Sequence, residues 1–250
     1  MAKTIAVTGK GGVGKTSMSA LIVKLLVENK PGAKILAIDA DPAIGLSTAL
    51  GVEVGKTIDD IRKNVIDAAM NGERDSKLSI LTNLDYEVFD AMVEKDGFAF
   101  LAVGRPESEG CYCKINTYLK HIIKEISDKF DYVVIDGEAG IEQINRRVME
   151  TVTHLLLVSD ASKKGINVIK TIAEVAKDLV AYEEIGAIIN RIQDENVKEL
   201  VDIDGLCQYS FVSEDKNISY TDIKGESLLN IENDLSVKEL KSALEKFRIL

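Results

Sequence analysis

Gly9-Lys10-Gly11-Gly12-Val13-Gly14-Lys15-Thr16 holds the residue types a polyphosphate needs, at the spacing it needs them. The glycines let consecutive backbone N–H groups converge on phosphate oxygens, and a helix opening behind them adds its positive end. Lys15 supplies a fixed charge for the β- and γ-phosphates of ATP, and the Thr16 hydroxyl is a ligand for Mg2+. The candidate nucleotide contacts are therefore Gly9, Gly11, Gly12, Val13, Gly14, Lys15, Thr16 and Ser17. One lysine satisfies this chemistry, yet the loop contains a second, Lys10.

Two acidic stretches complete a hydrolytic site. "IDADP" places Asp39 and Asp41 just past a strand, and "VVIDGEAG" places Asp136 at the end of another. Asp136 suits a carboxylate that holds Mg2+ through water, and the Gly140 N–H is placed to sense a γ-phosphate in a switch loop over 136–142. Asp41 is the choice for orienting the attacking water, ahead of Asp39 and Glu138.

Cys111 and Cys113, in "GCYCK", are the second chemical feature. His121, eight residues on, and His154 both fall in apolar-periodic segments and read as packing or surface residues; Cys207 reads as structural. Two thiolates cannot close a four-ligand centre. A two-fold dimer supplies the missing pair, because each cysteine meets its own copy. Thiolates suit zinc, copper(I), square-planar nickel and iron–sulfur clusters.

The elements that must position these groups alternate. Apolar β-branched runs at 3–8, 33–39, 98–103, 131–136, 154–159 and 185–190 read as strands buried on both faces. A further strand is expected after Cys207. Helical patterns occupy 15–29, 57–70, 85–94, 114–128, 141–150, 163–180 and 235–248. Loops are expected at 71–77 and 104–110, and 192–200 is a polar connection compatible with a helix. This is an α/β chain: a single domain over 1–250, with a doubly wound, mostly parallel sheet flanked by helices.

The chain has 250 residues, 46% apolar, and a net charge of −10. That balance argues against binding nucleic acid or a stable association with anionic membrane. Three cysteines are too few for a disulfide framework, and the amino terminus has no export pattern. A cytoplasmic location is expected.

"GKGGVGKT", "DADP" and "DGEAGIE" resemble the deviant Walker A P-loop ATPases, which include MinD, ParA, the nitrogenase iron protein and the CooC-type ATPases. The resemblance implies that Lys10 reaches across an ATP-dependent homodimer to the partner's phosphates. It also implies that Asn190 reads adenine and that Asp215, in "FVSED", lies beside the base, with Ser213 where relatives carry proline. "GRPESEGCYC", "DGEAGIEQINRR" and "SDASKKGI" are similar to the CooC-type nickel-insertion ATPases in particular. That implies Ni2+, or Zn2+ in the same site, bound between subunits by Cys111 and Cys113. It implies delivery to carbon monoxide dehydrogenase or the related acetyl-CoA synthase.

Two other roles compete. An iron protein needs a cysteine soon after the second acidic stretch, and 137–153 contains none. A MinD/ParA-like positioning ATPase needs a basic membrane helix or DNA patch. The tail "LSVKELKSALEKFRIL" puts Leu240, Leu244 and Phe247 on one face, but Glu239 and Glu245 dilute its charge, so it reads as a core helix.

Overall fold

The computed structural model describes residues 2–70, 84–104, 113–137, 148, 151–201, 203–205 and 208–250. The chain begins with β1 (Lys3–Gly9), α1 (Lys15–Asn29), β2 (Ile35–Asp39), α2 (Gly45–Leu50) and α3 (Ile58–Met70). It continues through α4 (Leu84–Asp90), β3 (Val93–Lys95), β4 (Phe98–Ala102), α5 (Cys113–Ser127), β5 (Tyr132–Asp136) and β6 (Thr151–Asp160). Then come α6 (Lys163–Leu179), β7 (Ala181–Ile192), α7 (Glu195–Leu200), β8 (Tyr209–Ser213), α8 (Lys216–Lys224), a short 3-10 helix (Leu228–Asn230) and α9 (Leu235–Lys246).

Alternation along the strands sets the layers. Ile5 and Val7 of β1 join one apolar cluster while Ala6 joins the other, and all are fully buried. Val134 of β5 and Leu156 of β6 follow Ile5, whereas Val133, Ile135, Leu155 and Leu157 follow Ala6. The first cluster is completed by α1, α2 and α9, the second by α3, α4, α5 and α6. Strands covered on both sides must be apolar on both sides, which is why these runs are continuous.

One eight-stranded sheet runs in the order β3-β4-β2-β5-β1-β6-β7-β8. Its pairings are parallel except at the β3–β4 edge. The α/β architecture expected from the alternating pattern is present.

The differences are local. The helix expected over 85–94 ends at Asp90, because Val93–Lys95 folds back on β4 through an Asp96-Gly97 turn with Gly97 at φ 85°. Both β6 and β7 extend beyond their apolar runs into polar residues that keep the ladder. The short helices α2 and α8 were not expected from periodicity, while α7 lies in the polar connection 192–200. Leu240 and Leu244 of α9 and Phe247 just after it are buried in the core, at most 2% exposed. The expected helix 141–150 (apart from Val148), the loop 71–77, most of the loop 104–110, Glu138, Gly140, Cys111 and Cys207 lie outside the described residues.

Candidate functional site

Five strands end on one edge of the sheet, and their registers bring the candidate residues together. Asp39 stands beside Asp136, Asp136 beside Val7, Gly9 beside Val158, and Asp160 beside Asn190. In a parallel sheet this carboxyl edge is where ligands bind, at the point where strand order reverses. Here β1 is flanked by β5 and β6, so its loop sits at that point.

The loop's shape follows from its glycines. Gly9 leaves β1 at φ 142°, so close to β6 that a Cβ would lie 2.1 Å from the Val158 carbonyl oxygen. Lys10 N–H donates to that same oxygen at 3.2 Å. Gly14, at φ 91°, is the N-cap of α1, which has neither a side-chain cap nor an acidic residue in its first turn. The positive end of α1 is thus left to an external anion. Lys15 is 9% exposed and donates to the Lys10 carbonyl at 3.1 Å, which keeps its ammonium inside the loop.

Lys10 is also held within the chain. Its Nζ lies 2.5 Å from Asp160 Oδ2 and 3.5 Å from Ser162 Oγ. Ser162 is the N-cap of α6, accepting from Gly165 N–H at 3.0 Å and donating to Asp160 Oδ1 at 2.5 Å. Partial burial opposes the charge on Asp160, but the Lys10 and Ser162 bonds outweigh it and hold its pKa below the usual carboxylate value. In the isolated chain Lys10 is therefore paired within its own subunit rather than free to reach another. The strand-end acid of β6 lies beside it.

Asp39 and Asp136 form a buried acidic pair. Asp39 accepts from Asp41 N–H at 3.1 Å and Leu46 N–H at 2.8 Å, so both its oxygens hold the loop after β2. Burial, then the neighbouring Asp136, pushes its pKa up to about 7. Asp136 accepts from Ser19 Oγ at 2.9 Å, while its buried Oδ2 has no hydrogen-bond partner. Burial raises its pKa to about 6, against the Thr16 and Ser19 hydroxyls and the Lys15 charge. An orphaned carboxylate oxygen beside a threonine hydroxyl is the donor set a hydrated Mg2+ takes, so these residues fit that ion.

Asp41 is half-buried and forms a turn, accepting Ala43 N–H on Oδ1 at 2.9 Å. Ile44 follows at φ 51°, a left-handed conformation that is costly for a β-branched side chain. Strain is thus stored in the loop that bears the water-orienting candidate.

Asn190, Arg191, Asp215, Gly14 and Ser17 line one small cleft of about 50 Å³. Asn190 Nδ2 donates to the Val13 carbonyl at 2.8 Å and Arg191 Nη1 to the Gly12 carbonyl at 3.0 Å. These bonds tie β7 to the phosphate loop. Asp215 uses Oδ1 to cap α8 through Asn217 N–H (2.8 Å) and Oδ2 to accept from Ser236 Oγ (2.6 Å).

The thiol pair is placed only in part. Cys113 opens α5, but its side chain and all of Cys111 fall outside the described residues. Among the described residues no group of three or more His, Cys, Asp or Glu could hold a metal. His121 is exposed and lies 3.3 Å from Glu125. His154 is buried beside Thr153, and burial lowers its pKa. Asp160, Ser162, Arg191 and Ser19 escaped sequence reasoning. The polar "SDAS" ending a buried strand was the available signal for the first two.

A P-loop, a buried acidic pair at adjoining strand ends and a helix end open to anions define a P-loop ATPase. The chain belongs to the AAA_31 family (AAA domain), whose model matches residues 2–185, and is a P-loop ATPase. It is 38% identical to an uncharacterized ATP-binding protein of Methanocaldococcus jannaschii, over 97% of each chain. It is 27% identical to the carbon monoxide dehydrogenase accessory protein CooC of Rhodospirillum rubrum, over 82% of this chain and 85% of that one. The septum site-determining protein MinD of Pyrococcus horikoshii, solved with Mg-ADP, superposes with a TM-score of 0.68 at 23% identity, covering 98% and 96% of the chains.

Proposed function

We propose that this ATPase is a nickel metallochaperone, acting as one domain that dimerises with ATP and holds its metal between subunits. The observation that carries the reading is the Cys111-x-Cys113 sequence, whose second cysteine opens α5, in a chain similar to CooC over most of both lengths. In this scheme Gly9, Gly11, Gly12, Val13 and Gly14 cradle the phosphates, with Lys15 neutralising the γ-phosphate and Ser17 beside them. Thr16 and Asp136 hold Mg2+, which neutralises charge on the phosphate oxygens when bound. Asp41 orients the attacking water, Asp39 holds Asp41's loop, and Gly140 senses the γ-phosphate. Asn190 and the loop at Asp215 flank adenine. Lys10 leaves Asp160 and reaches the partner's phosphates.

Cys111 and Cys113 of both subunits then give four thiolates to one Ni2+, the cargo, with zinc as a competitor for the same site. Because the ligands come from two chains, metal binding and dimerisation strengthen each other by the same factor. Hydrolysis loosens the dimer and releases the metal to a client, carbon monoxide dehydrogenase or acetyl-CoA synthase. Equilibrium dialysis against nickel and zinc tests the site. The Cys111→Ser/Cys113→Ser double variant is expected to lose tight binding while keeping its ATP affinity; retained metal would place the site elsewhere.

The likeness to MinD favours a second reading, a positioning ATPase. Among the described residues no helix is long and apolar enough to cross a membrane, and the apolar face of α9 is committed to the core. ATP-dependent binding to anionic vesicles or DNA, with no metal uptake, would favour that reading.

A further inference from the structure

A cavity of about 490 Å³ opens at the far end of the sheet from the phosphate loop. Thr4 and Thr151, at the starts of β1 and β6, line it, so it lies about 16 Å from Gly9 at about 3.3 Å of rise per residue. The carboxyl half of α5 forms a wall, where Lys120, Lys124 and Ser127 recur at helical spacing and face the cavity together. Ala2, Val148 and Val152 give it an apolar side. Its size falls in the range of small-molecule sites, which combine an apolar lining with a few placed polar groups.

Ser127 carries the argument. It is 2% exposed, and its hydroxyl has no hydrogen-bond partner. A buried hydroxyl left without a partner destabilises the chain that contains it, and a bound acceptor removes that cost. Two ammonium groups on the same helix face add positive charge to that wall. Asp128 and Glu183 also line the cavity and offset that charge, which disfavours a polyphosphate and leaves Lys124 and the Ser127 hydroxyl as partners for a small polar head.

We infer that this cavity binds a small monocarboxylate with an apolar body, its head on Lys124 and Ser127 and its body against Val148 and Val152. The site is separate from the nucleotide edge and independent of the metal reading above. Octanoate is the probe, followed by amide shifts in the full-length 15N-labelled protein, with octylammonium as the oppositely charged control.

Saturable one-to-one shifts at Thr117, Lys124, Ser127 and Thr151 are expected with octanoate. Lys124→Glu, at an exposed position, weakens binding at least about tenfold. Ser127→Ala weakens it several-fold yet raises the melting temperature of the ligand-free protein, two effects of opposite sign that a purely structural serine does not give. Equal binding of octylammonium, octanoate affinity unchanged in both variants, or the absence of saturable shifts would each overturn the inference.

Discussion

Lys10 and Lys15 are five residues apart and make different bonds, so their variants separate two roles. Lys15 sits inside the loop against the Lys10 carbonyl, whereas Lys10 reaches out to Asp160. Lys15→Ala is expected to lower ATP affinity at least about 100-fold by calorimetry, the loss of a charge-assisted phosphate contact in a desolvated loop. Lys10→Ala is expected to bind ATP within about threefold of wild type but to fail to dimerise, since in the proposed dimer the phosphates it contacts are the partner's. Normal ATP-dependent dimers from that variant would remove the cross-subunit role. Asp41 is half-buried with one oxygen spent on Ala43 N–H, leaving the carboxylate partly exposed to the loop edge. Asp41→Asn is expected to slow steady-state hydrolysis about 100-fold or more while ATP stays bound, because the amide keeps the shape but not the base. Unchanged turnover would shift the role to Glu138.

At the scale of elements, strand ends do the positioning. Gly9 is the clearest case: with φ 142° and a Cβ 2.1 Å from the Val158 carbonyl oxygen, Gly9→Ala forces β1 and β6 apart. A loss of about 3 kcal/mol or more in urea unfolding is expected, and ATP binding should fall with it. The β2 and β5 ends yield a pH prediction. Folded Asp39 has its pKa raised from 3.8 to about 7, so between those values the native chain binds more protons than the unfolded one. Stability of the nucleotide-free protein in EDTA therefore falls as pH rises through that window, and Asp39→Asn flattens the slope. A stability that climbs from pH 4 to 7 with Asp39 intact, and keeps that slope in the variant, would show the acid is not buried protonated. The phosphate loop and Asp136 were legible in the sequence because glycine spacing and apolar strand runs are local signals. The Asp39–Asp136 contact was not, because it depends on β5 inserting between β2 and β1. The Lys10–Asp160 pair was hidden because it depends on β6 lying beside β1. The β3 hairpin had its Asp96-Gly97 signal, but the helical period before it masked the short strand.

For the molecule as a whole, one sheet edge gathers the ATP chemistry, and α5 links Cys113 at one end to the Ser127 cavity at the other. The α/β architecture was readable from alternating strands and helices, and the burial of Leu240, Leu244 and Phe247 from the spacing of the tail. The proposed two-chain site was legible only as half a ligand set, because a site made by two copies would leave only half its ligands in either. The central claim is that ATP and metal close the same dimer. It is tested most directly by light scattering with elemental analysis on the Asp41→Asn protein, loaded with ATP and nickel and separated by size. The account predicts a dimer holding one nickel per two chains, reverting to metal-free protein when Cys111 and Cys113 are both serine. A monomer in saturating ATP, or one tightly held ion per chain, would contradict it.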